Sequence, residues 1–91
     1  MKTISNTTPI ISLSSIGKIK ILRDVFQEII IPEAVYEEIK AKKGYGYHSV
    51  DSSFIKVQSI QTKEHELLLL NTLDIGEAQT IVLAKEINES T

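Results

Sequence analysis

Apolar positions along the chain form two alternating kinds of run. Short blocks suit strands and longer stretches with three- and four-residue spacing suit helices, a rhythm that predicts an α/β fold with a largely parallel sheet. Lys2 to Ser5 reads as a first short strand. Thr7-Thr8-Pro9 then reads as a helix start, with Thr8 as N-cap, Pro9 at the first helical position, and Ile10, Ile11 and Leu13 on the buried side. Gly17 interrupts, and Ile19, Leu22 and Phe26 with Ile21 and Val25 predict a second helix. Glu28 to Ile31 ends in three consecutive isoleucines, a β-branched run suited to a strand buried on both faces. Pro32 is expected to stop that strand and open a helix striped by Ala34, Val35, Ile39 and Ala41, closed by Gly44 and Gly46. Phe54 to Val57 predicts a third strand, Thr62 caps a helix running to Leu70, and Asp74-Ile75-Gly76-Glu77 opens a last helix with Ala78, Ile81, Val82 and Ala84 on its faces. The sequence stops soon after that helix, where a βαβ rhythm calls for another strand.

At 91 residues the chain has the size of a single domain, expected to span 1–91. Its formal charge of −2 argues against a strongly basic nucleic-acid clamp, yet leaves room for an acidic metal site. Cysteine is absent, which excludes disulfides, thiolate zinc sites and a Cys nucleophile and suits a cytoplasmic location. The N-terminal apolar stretch is too short for a signal peptide, and the longest apolar block, Leu67 to Leu70, is far from a membrane span.

Three polar residues stand where an α/β site is expected. Asn6 ends the first strand at its carboxyl end, Glu38 lies in the helix after the second strand, and Glu77 lies in the first turn of the last helix. Oxygen ligands of this kind suit Mg²⁺ or Mn²⁺, which activate water and offset charge on a phosphodiester. Each residue also has a structural reading. Asn6 suits an Asx turn or cap, Glu38 suits an i,i+4 pair with Lys42, and Glu77 suits a capping box with Asp74. His48 and His65 lack metal-ligand spacing and are expected to face solvent, and Ser12, Ser14 and Ser15 have no His or glycine elbow beside them. Lys42, Lys43, Gly44, Tyr45 and Tyr47 form a small basic-aromatic cluster, suited either to stacking on RNA or to a plain helix-end loop.

Four segments taken together resemble the PIN-domain family, in particular its VapC-like branch. Ile4-Ser5-Asn6-Thr7-Thr8-Pro9-Ile10-Ile11 resembles that branch's opening Ser-Asp/Asn-Thr/Ser-Ser/Thr-Pro-Leu-Ile. Ile16 to Leu22 resembles its "IGKLDLL" helix, Ile31 to Ile39 is similar to "IPEAVYEEV", and Leu73 to Ala84 is similar to "LDxGEAEAIALA". The resemblance implies a Rossmann-like three-layer fold with a short parallel sheet flanked by helices. It also implies a metal-dependent ribonuclease acting on RNA, often the toxin partnered by an antitoxin protein. The family's acidic metal ligands fall on Asn6, Glu38 and Glu77 here. A further acid belongs to a strand and loop after the last helix, so the sequence resembles a PIN domain shortened at its C-terminal end, with later strands missing. Asn6 is neutral where the general pattern has Asp. Weak binding of Mg²⁺ or Mn²⁺ and weak or no catalysis are therefore expected. The alternative is a non-catalytic PIN remnant serving as a homodimerising or partner-binding module. The first strand, central in the family, is expected to be a sheet edge here, which suggests a homodimer formed by pairing that edge across a two-fold axis.

Overall fold

The computed structural model describes residues 2–90. Three parallel strands, β1 (Thr3–Ile4), β2 (Ile29–Pro32) and β3 (Ile55–Gln58), form one sheet in the order β1-β2-β3. Thr3 pairs with Ile29 and Ile4 with Ile30, while Ile29 to Pro32 pair in step with Ile55 to Gln58. Five helices flank the sheet: α1 (Thr7–Ser15), α2 (Lys20–Phe26), α3 (Glu33–Lys42), α4 (Lys63–Leu69) and α5 (Ile75–Ser90). A 3₁₀ turn spans Ser49–Asp51. The fold is thus α/β, as the alternation of runs predicts.

The isoleucine run explains the layering. Successive strand residues point to opposite faces. Ile29 and Ile31 enter a core shared with Ile10, Val35 and Ile39 on the α1–α3 side, whereas Ile30 enters a second core with Val82, Leu83 and Ile87 on the α5 side. All three are nearly or fully buried. β1 is an edge among the described residues, paired only to β2.

Several local expectations shift. α1 begins at Thr7, with Asn6 rather than Thr8 in the N-cap position. Pro9 is then the third helical residue, still within the first turn, where no intrahelical N–H bond is lost. Pro32 closes β2 and also precedes the first residue of α3. Lys43, not Gly44, takes the left-handed conformation after α3, with φ of 52°, and Ala41 is exposed. In α2 only Leu22 is buried. Ile21 and Val25, about 100° and 60° around the helix from Leu22 on the side away from Ile19, flank the buried stripe and stay on the surface. The buried face of α5 likewise centres on Ala78, Val82, Leu83 and Ile87, which leaves Ile81 exposed. His65 is half-buried rather than solvent-facing, because α4 packs its ring against α5, where its Nδ1 is buried without a hydrogen-bond partner. His48 is exposed, as expected. Among the described residues no helix is long and apolar enough to cross a membrane.

Candidate functional site

A cleft of about 120 Å³ opens at the carboxyl end of β1, lined by Asn6, Thr7 and Thr8, by Glu38, and by Asp74, Gly76 and Glu77. Three segments distant in sequence meet here. The strand-to-helix step after β1 brings Asn6, one face of α3 brings Glu38, and the start of α5 brings the rest. The three residues singled out from sequence therefore line one cavity.

Their local roles differ. Asn6 holds extended backbone in the N-cap position but makes no side-chain capping bond, so its exposed amide remains at the cleft. Glu38 divides its carboxylate. The Thr7 hydroxyl donates to Oε2 at 2.9 Å, and Lys42 Nζ donates to Oε1 at 3.1 Å. The i,i+4 ion pair read from the sequence is present and coexists with a place in the cleft. Glu77 completes the capping box, with the Asp74 N–H donating to Glu77 Oε1 at 3.2 Å and the Glu77 N–H donating to Asp74 Oδ1 at 2.8 Å. This reciprocal pair satisfies two backbone donors at the start of α5.

Gly76 stands where α3 and α5 approach each other. A Cβ at this position would lie 3.3 Å from Glu38 Oε2, 3.5 Å from Asp74 Oδ1 and 3.7 Å from Val35 Cγ2. The Glu38 carboxylate lies against the open side of this glycine. Behind the cleft, Gln79 ties three helices together. Its Oε1 accepts the Ala34 N–H at 3.0 Å, satisfying a donor at the start of α3, and its Nε2 donates to Oε2 of the buried Glu66 of α4 at 2.7 Å.

The donor chemistry suits a hard divalent cation. Three carboxylates, an amide carbonyl and two threonine hydroxyls offer oxygen alone, and Mg²⁺ commonly takes one or two protein carboxylates while keeping several waters. The geometry is not that of a closed cage. Among the described residues no three Asp, Glu, His or Cys side chains stand ready around a single point. Glu77 Oε1 is turned back to its cap, and the two oxygens of Glu38 accept from Thr7 and Lys42.

Asp74, Thr7, Thr8 and Gly76 are the cleft residues that sequence reasoning did not select. Asp74 had a signal: a capping box places both its members at one helix end, so whatever Glu77 lines, Asp74 borders. Thr7 had none, since its bond to Glu38 spans 31 positions. A separate polar cluster lies further along α3. Asp51 accepts the Tyr36 hydroxyl at 2.8 Å and pairs with Lys40, which also donates to the Tyr47 carbonyl. The Lys40 and Tyr36 bonds hold the Asp51 carboxyl below its ordinary range, and the same bonds to Asp51 raise both Lys40 and Tyr36. Burial pushes the Glu86 carboxyl up, but the hydrogen bonds it accepts from Thr62 and from the Gln61 and Thr62 N–H groups together outweigh that and lower it.

A three-layer parallel α/β domain with an oxygen-rich cleft at the carboxyl edge of its first strand belongs to a class that places ligands at strand ends. A family model described as a PIN domain matches residues 2–91, and the chain belongs to the PIN-domain family. No curated protein and no solved structure matches it. Family membership carries a nucleic-acid-directed, nuclease-like character and a general use of divalent metals.

Proposed function

We propose that this chain is a VapC-like PIN protein whose cleft directs a divalent cation, Mg²⁺ or Mn²⁺, to RNA phosphodiesters. The observation that carries this reading is the convergence of Asn6, Glu38, Asp74 and Glu77 on one cleft from three separate segments. A hard divalent ion bound there supplies an activated water and offsets charge on the phosphoryl oxygens. Glu38 and Glu77 hold the ion, directly or through water, and Asn6 contributes a neutral carbonyl oxygen. Thr7 fixes one oxygen of Glu38 through its hydroxyl. With Asn6 uncharged and Glu38 already paired to Lys42, the ion is held weakly, because affinity rises with ligand charge.

The same two facts favour a second reading, in which the domain is a scaffold without chemistry. Its edge strand β1 then pairs with a second copy, or its surface receives an antitoxin-type protein. The deciding experiment is cleavage of a mixed single-stranded RNA with and without Mn²⁺, alongside Glu38→Gln prepared identically. Metal-dependent cutting that is lost in Glu38→Gln supports the nuclease reading. Absence of cutting, or cutting that persists in Glu38→Gln, overturns it in favour of the scaffold.

A further inference from the structure

The basic-aromatic turn after α3 is not used by the cleft, and its construction is specific. The Tyr47 N–H donates to the Gly44 carbonyl at 3.2 Å and Gly46 has φ of 92°, the backbone signature of a type II turn, which needs glycine at its third position. Gly46 is also packed tightly. A Cβ there would lie 3.3 Å from Ile39 Cγ2 and 3.5 Å from Ile10 Cγ2. Lys40 braces the far side, donating to the Tyr47 carbonyl at 2.7 Å while its ammonium sits 4.0 Å from the Tyr47 ring centre. The turn is thus clamped to α1 and α3 by apolar contact and to α3 by a cation.

Tyr45 occupies the second position of this turn, which throws its side chain outward. It is 65% exposed, and among the described residues its ring stacks on nothing, in contrast to Tyr47, which meets both His48 and Lys40. Lys42 and Lys43 immediately precede the turn, and Lys43 forms no ion pair among the described residues. The position relative to the cleft follows from the helices. Lys42 is one turn beyond Glu38 on α3, and Gly46 rests on Ile10 and Ile11, one turn beyond Thr7 on α1. Each step is about 5 Å along a helix axis. An exposed aromatic ring, two residues after Lys43 and three after the Glu38-paired Lys42, therefore stands on the turn that follows an acidic cleft, which would by itself repel a phosphate chain.

We propose that the Lys42–Tyr45 turn is a single-stranded RNA subsite, in which Tyr45 stacks on an unpaired base and Lys43 holds a phosphate flanking the one presented to the cleft. The proposal rests on the RNA-directed reading above and extends it to a residue that reading does not need. Stacking on an exposed tyrosine tolerates any base, because every base has a π-face, while the lysine adds a salt-dependent contact to the backbone.

The test is fluorescence anisotropy of a labelled, mixed-sequence single-stranded RNA at low salt in EDTA, so that no cutting intervenes. The proteins are wild type, Tyr45→Ala, Tyr45→Phe and Lys43→Gln, each checked for folding by circular dichroism. Tyr45→Ala is expected to weaken binding roughly 5- to 150-fold, the range for losing one base–aromatic stack. Tyr45→Phe is expected to bind as wild type does, since the ring is what stacks. Lys43→Gln is expected to reduce the slope of log affinity against log salt by about 0.7, the value for one phosphate contact on a single strand. Wild-type affinity in Tyr45→Ala, an equal loss in Tyr45→Phe, or no binding by the wild type would each overturn the subsite. The same proteins incubated with RNA and Mn²⁺ separate the two claims. A binding loss in EDTA without cutting by the wild type upholds the subsite and removes the catalytic reading. Cutting and affinity unchanged in Tyr45→Ala remove the subsite and leave the catalytic reading in place.

Discussion

Gly76→Ala is expected to separate stability from metal binding. Gly76 sits in the first turn of α5 with ordinary helical backbone, so alanine adopts the native conformation without strain and lowers the entropy of the unfolded chain. That effect stabilises by about 0.4–1 kcal/mol. The opposing term is contact. The new methyl lies 3.3 Å from Glu38 Oε2, close enough that the carboxylate must retreat by a few tenths of an ångström. Glu38 sits at the end of a flexible side chain, so it can move, and its 2.9 Å bond from Thr7 lengthens without breaking. Complete loss of a hydrogen bond to a charged group costs about 1.5–3 kcal/mol, and only a fraction of that is at stake here. The two terms leave a small net gain, a rise in Tm between zero and about 4 °C for a domain of this size. On the proposed reading metal binding is expected to weaken, because the methyl narrows the cleft beside Glu38 Oε2. The assay is thermal unfolding followed by circular dichroism, without metal and across a Mn²⁺ titration. A ligand that binds only the folded state raises stability by RT ln(1 + [L]/Kd), so the metal-induced rise reports affinity directly. A metal-free Tm more than about 4 °C below wild type would show that Glu38 is held rigidly and refute the packing argument. An undiminished Mn²⁺-induced rise would refute the placement of Glu38 at the metal.

Other substitutions probe the remaining supports. Ile30→Ala removes a residue only 3% exposed from the α5-side core and is expected to cost about 2–5 kcal/mol in a urea titration, enough to unfold much of so small a domain. Glu77→Gln can still reach back to the Asp74 N–H and is expected to leave Tm nearly unchanged, whereas Glu77→Ala is expected to lose about 1 kcal/mol by the same measurement. Asp51 titrates lower in the folded chain than its ordinary value of 3.8, so its contribution is present above that pH and is lost as pH falls through the depressed folded value. Asp51→Asn is therefore expected to flatten the acid limb of a stability-against-pH curve below pH 3.8, and an unchanged limb would show that its bonds to Lys40 and Tyr36 are not maintained in solution.

The fold was legible where periodicity is forced by burial. Three adjacent isoleucines can all be covered only in a strand with layers on both sides, and Ile29, Ile30 and Ile31 are divided between two cores in that way. The same logic failed where apolar residues outnumbered the available cover. Seven residues of α2 carry two apolar stripes, and only the one containing Leu22 meets the sheet. Helix ends were misplaced by one or two residues where cap-formers competed, as at Asn6 and Thr8 or Lys43 and Gly44, because local conformational preferences at such neighbours are nearly equal in energy. Asn6, Glu38 and Glu77 were legible as candidates from family motifs and from their position after strands and at a helix start. The neighbours of Glu38, Thr7 and Gly76, were not, nor was the brace from Gln79 to Ala34, since contacts over tens of residues leave no local pattern.

The capping box and the proposed metal site draw on the same side chain, and that has an energetic consequence. Glu77 in its present position closes the start of α5 by accepting the Asp74 N–H. That bond engages Oε1 alone, so an ion that took Oε1 would leave the Asp74 N–H to water, at a cost of about 0.5–2 kcal/mol on the scale of capping contributions, whereas one that took Oε2 would leave the cap in place. Since about 1.4 kcal/mol is tenfold in affinity, giving up the cap would lower metal affinity roughly two- to thirty-fold relative to a free carboxylate in the same place. The Lys42 pair acts in the same direction on Glu38, though more weakly because both groups are partly exposed. An RNA phosphate shifts this balance: its oxygens can complete the coordination shell of a Mg²⁺ that keeps only one protein carboxylate, so that Glu77 need not leave its cap. On the proposed reading, such a site is expected to bind metal and RNA together more readily than either alone.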